Sequence, residues 1–579
     1  MGLHSTSNYS IPDTGHPTPN TLSCAIVPLC LVVMNPVATN PNPDPEHCAA
    51  AELMAAVAEK RQRVFLRSVA IVTASVFLSR VLGFFREWAI AHQVGATGVT
   101  DAYYAAFTIP DILNYLLAGG ALSITFIPVF LEYFATERKE EAWAVFSTVL
   151  TVMTSVLIVL VIVAEIYAET LTGWIAPGFS PEQRETVTYL TRIMLPAQGF
   201  FFLGGVLSAV QYAQGRFLVP SLAPLIYNGL IISAGMLLAR SIGIQAFSWG
   251  VLAGSFLGNF LIQVYGVHTL SARFRLSFDV THPGFRRFIR LSLPIMLGFS
   301  LIFVDDWAIR WFGSFLVPAS ITWLGYGKTL MRVVVAIFGQ AAGVASYPIM
   351  ARLVAEKKWD EMKGGLEEAM RHVILTIVPL SVLAAVLSRQ IVYFLFSRTR
   401  LGPTDIEQTA LAMTLFLIGA AAWGVQAILG RGCYALGDTL TPTLIGTGLA
   451  LAWLPIYWYS AQGYEHLGLA AASSLGIILY ALVLWIVLYR RLEIPLSGVA
   501  GFFARTTAAS TAAAVVAFYS ARWLDSYVTW QTMTGSFAQA AAASFLFLLA
   551  FSILAPLVGI GSWRELRGAV TGAGGARFS

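Results

Sequence analysis

Charge is scarce in this chain, and so is every feature that would mark a soluble enzyme. Only 12% of its 579 residues are charged, about half the ~25% usual in soluble domains. The four cysteines, Cys24, Cys30, Cys48 and Cys433, form no CxxC pair, and three of them lie near the N-terminus. Neither a disulfide framework nor a zinc site is expected from them. The eight histidines are scattered, with no HExxH-type spacing to hold a metal. Gly327–Thr329 reads GKT, but position 322 is Thr where a phosphate-binding loop needs Gly. No cofactor, no metal and no nucleotide hydrolysis is expected.

What the chain has instead is apolar length: 57% of its residues are hydrophobic and the mean hydropathy is +0.71. Runs of about 20 apolar residues, enough to cross the hydrocarbon core, recur throughout. The reading is an all-α polytopic membrane protein with about 14 spans. They cover roughly 66–90, 102–131, 143–167, 187–210, 219–239, 246–267, 291–313, 321–350, 372–388, 407–430, 442–460, 467–489, 502–520 and 537–559. With the N-terminus cytoplasmic, the inside segments carry 24 Lys and Arg against 6 outside, and the remaining 6 of the 36 lie within spans. That bias places both termini in the cytoplasm. It also accounts for the net charge of +5 without a nucleic-acid partner. Residues 1–57 are rich in Pro, Asn, Ser and Thr, and their one apolar run, 22–34, is interrupted by Pro28. They read as a disordered extension or an over-extended gene start, with Met54 a plausible true start.

The chain repeats itself. Tyr212–Pro220 reads YAQGRFLVP, and Tyr434–Pro442 reads YALGDTLTP, 222 residues on. Arg86–Ile90 (REWAI) is echoed by Asp305–Ile309 (DDWAI), and Glu137–Glu141 (ERKEE) by Glu356–Glu361 (EKKWDE). The offset covers six spans, an even number, so both halves insert the same way. Two six-helix pseudo-symmetric lobes around a central cavity are expected, residues 62–275 and 285–492, with the site between them. Two further helices, in 500–560, and a cytoplasmic tail, 561–579, complete the organisation.

Six cations lie within spans: Arg80, Arg86, Arg192, Arg310, Lys328 and Arg332. A charge at the bilayer centre costs about 2.5–3.5 kcal/mol on insertion scales, so such residues face a wet cavity or one another. Arg80 and Glu87, seven apart, share a helix face, as do Lys328 and Arg332, four apart. A cationic cluster suits a phosphate-bearing ligand, because guanidinium groups bind phosphate oxygens in pairs. The plainer reading is that each cation pairs with Glu87, Asp101, Asp305 or Asp306, or snorkels to an interface. Asp305 and Asp306, adjacent in span seven, are candidates for coupling to a monovalent cation or proton. An ion pair with Arg310, one turn on, is the alternative. Asp438, in GDTLTP, reads as a helix cap.

The first two spans carry more than charge. SRVLGFFRE from Ser79, TDAYYAAFTIPDIL from Thr100 and AGGALSITFIPVFLEY from Ala118 closely resemble the N-terminal signature of the MurJ/MviN family, the lipid II flippases of peptidoglycan synthesis. Gly215–Gly229 and Cys433–Pro442 also resemble segments of that family. The resemblance covers roughly residues 62–560. It implies a twelve-helix core of two lobes around a cationic cavity, plus two helices forming a groove for the polyprenyl tail. It implies alternating access that carries undecaprenyl-pyrophosphate-linked disaccharide-pentapeptide from the inner to the outer leaflet of the bacterial cytoplasmic membrane. It also places the family's essential first-helix arginines at Arg80 and Arg86 and its conserved aspartate at Asp101, and all three are taken here as substrate-binding.

The sequence departs from the family pattern at Asn114 and Tyr115, where an arginine is usual, at Gly119, where Glu is usual, and at Thr329, where a cavity arginine is usual. Lys328 and Arg332 flank that last position. Either the charge has moved by a turn, or the head group carried is different. The reading adopted is a monomeric lipid II flippase, not an enzyme. Arg80 and Arg86 bind the pyrophosphate, Lys328 and Arg332 close the site from the second lobe, and membrane potential or an ion gradient supplies the drive. The alternative is a flippase for another undecaprenyl-linked glycan, or a multidrug-type exporter of the same superfamily. An exporter of cationic drugs is expected to have an acidic cavity. A membrane-bound glycosyl transferase is disfavoured, since the longest outside connections carry no cluster of carboxylates or histidines.

Overall fold

The computed structural model describes residues 71–560 apart from 119–124, 271, 298–300, 337–349, 439 and 493–495. The expected extension 1–57, the tail 561–579 and Gly119 therefore lie outside the described residues. Within them the chain is helical, with no strand. The described part of each of the fourteen expected spans falls on a helix or on consecutive helices. Eight of the described helices are long and apolar enough to cross a membrane, nine if the bent pair Pro403–Ile418 and Ala420–Ala435 counts as one span. One of the eight, Leu440–Leu492, is two spans: it doubles back at Tyr464 and Glu465, where φ at Glu465 is +51°. Trp453 Nε1 donates to Ala472 O at 2.8 Å across that hairpin.

The spans absent from that set are one, two, seven and eight. Span one keeps Arg80, Arg86 and Glu87 within residues 71–93. Span two breaks at Phe107, between Gly98–Ala106 and Thr108–Ala118, and the described parts of spans seven and eight include Leu301–Gly313 and Ser320–Val335. Five of the six intramembrane cations, Arg80, Arg86, Arg310, Lys328 and Arg332, thus fall in the first two spans of each repeat.

The repeat is written in the backbone. Lys139–Ile166 and Trp359–Val386 are both 28 residues long. Each is preceded by a turn with a left-handed residue, Glu137 in one lobe and Lys357 in the other. Gly215 (φ +72°) and Gly437 (φ +76°) end corresponding helices in the two copies of YAxG, a conformation glycine adopts without a Cβ penalty. Local chemistry sets the helix starts. Ser180 accepts from Gln183 N in a capping box, with Pro181 in the first turn, to begin span four. The glycines of the apolar spans serve close packing: a Cβ on Gly204 would lie 1.6 Å from Asn259 O in span six. Gly327, of the GKT sequence, packs likewise on the backbone of Met413.

Large apolar side chains such as Val159, Leu237, Leu444 and Leu549 point outward, as helices facing lipid require. The first lobe has its own cores, around Phe126, Phe146 and Phe202 and around Tyr103 and Phe247. The second lobe forms one core with the two C-terminal helices, Leu496–Asp525 and Met533–Leu557. Gln390 Nε2 donates to Gln539 Oε1 at 3.0 Å to join them.

Span seven is divided between the lobes. Its first half, Pro283–Leu297, packs Phe285 and Phe288 into the first lobe's core, and Thr125 and Ser292 hydroxyls meet there at 2.7 Å. Its second half, Leu301–Gly313, packs Val304, Ala308 and Phe312 into the second lobe's core. At one end of the bundle the lobes are tied directly. Arg400 N donates to Ala91 O at 3.1 Å, Gly178 N to Ser314 Oγ at 3.1 Å, and Trp311 Nε1 to Trp174 O at 3.0 Å.

Candidate functional site: a charged cavity between the lobes

Spans one, two, four, five and six of the first lobe and spans seven and eight of the second line a cavity of about 390 Å³. Four cations line it, Arg86, Arg310, Lys328 and Arg332, and three carboxylates, Glu87, Asp111 and Asp306. Tyr104, Asn114, Gln198, Tyr227 and Thr329 complete its polar wall.

Each cation is held by a carboxylate. Arg86 donates from Nη2 to Glu87 Oε1 at 2.7 Å and from Nη1 to Asn228 Oδ1 at 3.5 Å. Glu87, only 4% exposed, also accepts from the Tyr104 hydroxyl. The seven-residue spacing matched Glu87 to Arg80; the structure gives it to its neighbour Arg86, because Tyr104 pins the carboxylate on the cavity side. In the second lobe Lys328 binds both Asp305 and Asp306, the latter at 2.6 Å. Arg332 takes both oxygens of Asp306 at 2.9 Å. Lys328 and Arg332 do share a face, and Asp306 bridges them. Asp305, 4% exposed, also accepts from the Tyr457 hydroxyl and, at 3.0 Å, from Ser473 Oγ. Both adjacent carboxylates are thus engaged, Asp306 toward the cavity and Asp305 into the second lobe.

Two residues lie elsewhere than the sequence reading placed them. The alternative partner for Asp305 and Asp306, Arg310, turns away to the other lobe. Its Nη1 binds Asp111 Oδ2 at 2.9 Å and Thr108 Oγ1 at 3.2 Å. Asp101, expected to bind substrate, does not line the cavity. Its carboxylate, 2% exposed, accepts from Ala319 N at 2.7 Å, Thr322 N at 2.8 Å and Thr322 Oγ1 at 2.6 Å. It caps the first turn of Ser320–Val335 from across the lobe interface, where free N–H groups and the positive helix end attract a carboxylate. Its oxygens already accept from two backbone N–H groups and a hydroxyl.

Arg80 is exposed and is not among the cavity-lining residues, though it lies close enough to Arg332 for the two like charges to repel. Arg192 is also exposed, on a separate groove at the tied end with Glu169 and Arg184. The cavity is therefore the meeting place of Arg86, Lys328, Arg332 and Asp306 from the sequence reading. Tyr104, Gln198, Tyr227, Tyr457 and Ser473 were not singled out. A search for isolated polar side chains in apolar spans would have found Gln198 and Ser473; the tyrosines carry no comparable signal.

Known proteins give the frame for this geometry. The family model described as "Lipid II flippase MurJ" matches residues 90–539. A probable lipid II flippase MurJ of Buchnera aphidicola subsp. Baizongia pistaciae is 26% identical over 436 residues, which span 74% of this chain and 83% of that one. The lipid II flippase MurJ of Burkholderia cenocepacia is 26% identical over 433 residues, 73% of this chain and 84% of its own. Among solved structures, a lipid II flippase MurJ in an inward closed conformation superposes with a TM-score of 0.70 at 21% identity, covering 84% of this chain and 99% of that one. An inward-facing MATE-family multidrug transporter of the MOP superfamily gives 0.55 at 11% identity, covering 72% and 94%. The two structural matches share the fold.

Proposed function

The chain belongs to the lipid II flippase MurJ family, and from that premise we propose how its geometry moves a lipid-linked peptidoglycan precursor across the membrane. The observation that carries the reading is the cavity between the lobes, where Arg86 faces Lys328 and Arg332 from the opposite repeat. A pyrophosphate has oxygens for all three, and guanidinium groups bind such oxygens in pairs. In its absence Glu87 and Asp306 keep the cations neutralised within a low-dielectric wall. On binding, the pyrophosphate replaces those carboxylates as partner, so the same cations serve the empty and the loaded site. Arg80, exposed beside Arg332, is the first cation the head group meets.

The distribution of Lys and Arg assigns the tied end to the outside, with both termini in the cytoplasm. The described ties at Ala91, Asp101, Trp174 and Gly178 then close the outer side, and the cavity receives its lipid from the inner leaflet. Transport to the outer leaflet requires those ties to break while span seven, packed in both lobes, acts as the hinge between them. The drive is assigned to membrane potential or to a gradient of protons or a monovalent cation. A cation that reaches Asp305 and Asp306 must displace the Lys328 ammonium. The protein is taken to act as a monomer in the bacterial cytoplasmic membrane.

The test is complementation in cells depleted of their own lipid II flippase, with lipid II in the outer leaflet measured directly. Rescue by the natural sequence and its loss on Arg86→Ala, with the variant still inserted, are expected. Good expression without rescue would assign the protein to another undecaprenyl-linked glycan, and normal flipping by Arg86→Ala would remove that arginine from the mechanism.

A further inference from the structure

A second chamber of about 310 Å³ lies beside the central cavity, between spans two and seven. The two share Asp111, Asn114, Asp306 and Arg310 as common wall. The rest of the second chamber is largely aromatic, with Tyr115, Phe303 and Trp307. Tyr115 and Phe303 lie nearly face to face, ring centres 5.1 Å apart and inclined by 25°. Trp307 follows Phe303 by one helical turn on the same face of span seven.

We propose that this chamber is a saccharide subsite, which holds the sugar attached to the pyrophosphate of the transported lipid; the inference rests on the flippase reading above. A pyranose has apolar C–H faces and a rim of hydroxyls. Flat aromatic surfaces cover the faces through dispersion and burial. The rim needs donors and acceptors interleaved. Asp111 and Asp306 accept, Arg310 donates, and the Asn114 amide does both. That amide makes no hydrogen bond with another residue among those described, so it is available to a ligand.

Charge separates this chamber from its neighbour. Its charged groups are two carboxylates and one guanidinium, with Arg310 already bound to Asp111. A phosphate or a peptide carboxylate is repelled there and goes to Arg86, Lys328 and Arg332. A neutral polyol is accepted. The shared wall makes the two sites contiguous, as a sugar directly bonded to phosphate requires. The volume lies at the lower end of the ~300–1,000 Å³ of small-molecule sites, room for one ring and its substituents rather than the whole head group.

The experiment compares two lipids binding to the full chain in nanodiscs: undecaprenyl pyrophosphate, and the same lipid bearing the disaccharide-pentapeptide. The proteins are the natural sequence, Asn114→Ala, Tyr115→Leu and Trp307→Leu. The natural protein is expected to bind the glycan-bearing lipid more tightly. Each substitution is expected to weaken that binding by about tenfold, one good hydrogen bond or aromatic face; Tyr115→Leu and Trp307→Leu leave undecaprenyl pyrophosphate unchanged, and Asn114→Ala, on the shared wall, affects it less than the glycan-bearing lipid. Trp307 is packed against the second lobe's core and Asn114 also lines the central cavity, so Tyr115→Leu, confined to the second chamber, carries the decision. Equal affinity of the natural protein for both lipids overturns the subsite, and so does weakening of both lipids alike by Asn114→Ala and Tyr115→Leu. Failure of the flippase reading looks different: Arg86→Ala then leaves both lipids bound as before.

Discussion

Asp101 of the first repeat caps the helix that begins at Ser320 in the second, 2.8 Å from Thr322 N and 2.6 Å from its hydroxyl. One carboxylate thereby holds the lobes together at the end assigned to the outside. Capping by a charged acceptor is worth about 1.5–3 kcal/mol when its donors have no other partner. Asp101→Ala should therefore open that end, since water can satisfy the freed N–H groups once the lobes part. Spin labels at the exposed Val99 and Val317 should report longer and broader distances in the variant than in the parent. An unchanged distance distribution would show that the other ties suffice.

Lys328 and Asp305 are each 4% exposed, and removing one member of such a pair strands the other. Asp305→Ala is expected to cost about 3–5 kcal/mol, seen as a lower unfolding temperature in detergent. The double variant Asp305→Ala with Lys328→Met should recover most of the loss, because no buried charge remains unpaired. A double variant no more stable than Asp305→Ala would argue that Tyr457 and Ser473, not the ion pair, support the helix contact.

Gly204 leaves no room for a side chain against Asn259. Gly204→Ala should destabilise by more than the ~1–3 kcal/mol of ordinary overpacking, because the obstruction is backbone that cannot rotate away. Gly229→Ala, where a Cβ meets nothing within 4 Å, is the control. Yields of folded protein after size exclusion should fall for the first and hold for the second.

Orientation has a direct test. Single cysteines in the turns at Glu140 and Asp360 should be shielded from an impermeant thiol reagent in intact cells, while one at Arg398 should be labelled. The reverse pattern would invert the topology and with it the side on which the cavity loads.

Much of this was legible in the chain itself. Fourteen apolar runs, the uneven Lys and Arg and a repeat at one offset are consequences of crossing a bilayer, which constrains length, sidedness and hydrogen bonding along the sequence. They determined an all-helical, two-lobed membrane protein, and they placed its ionisable groups at the start of each lobe. The family signature in the first two spans narrowed the activity. The partners of those groups were decided only in three dimensions. Asp101 meets Thr322, Asp111 meets Arg310, and Asp305 meets Tyr457, across about 150 to 220 residues of chain. Helical spacing says which residues share a face, but not which face of which other helix lies opposite. So Arg310, one turn from Asp306, binds the far lobe instead, and Asp101 caps a helix outside the cavity. Burial then decides the rest: within an apolar wall every charge must find a partner, and packing between the lobes determines which one is within reach.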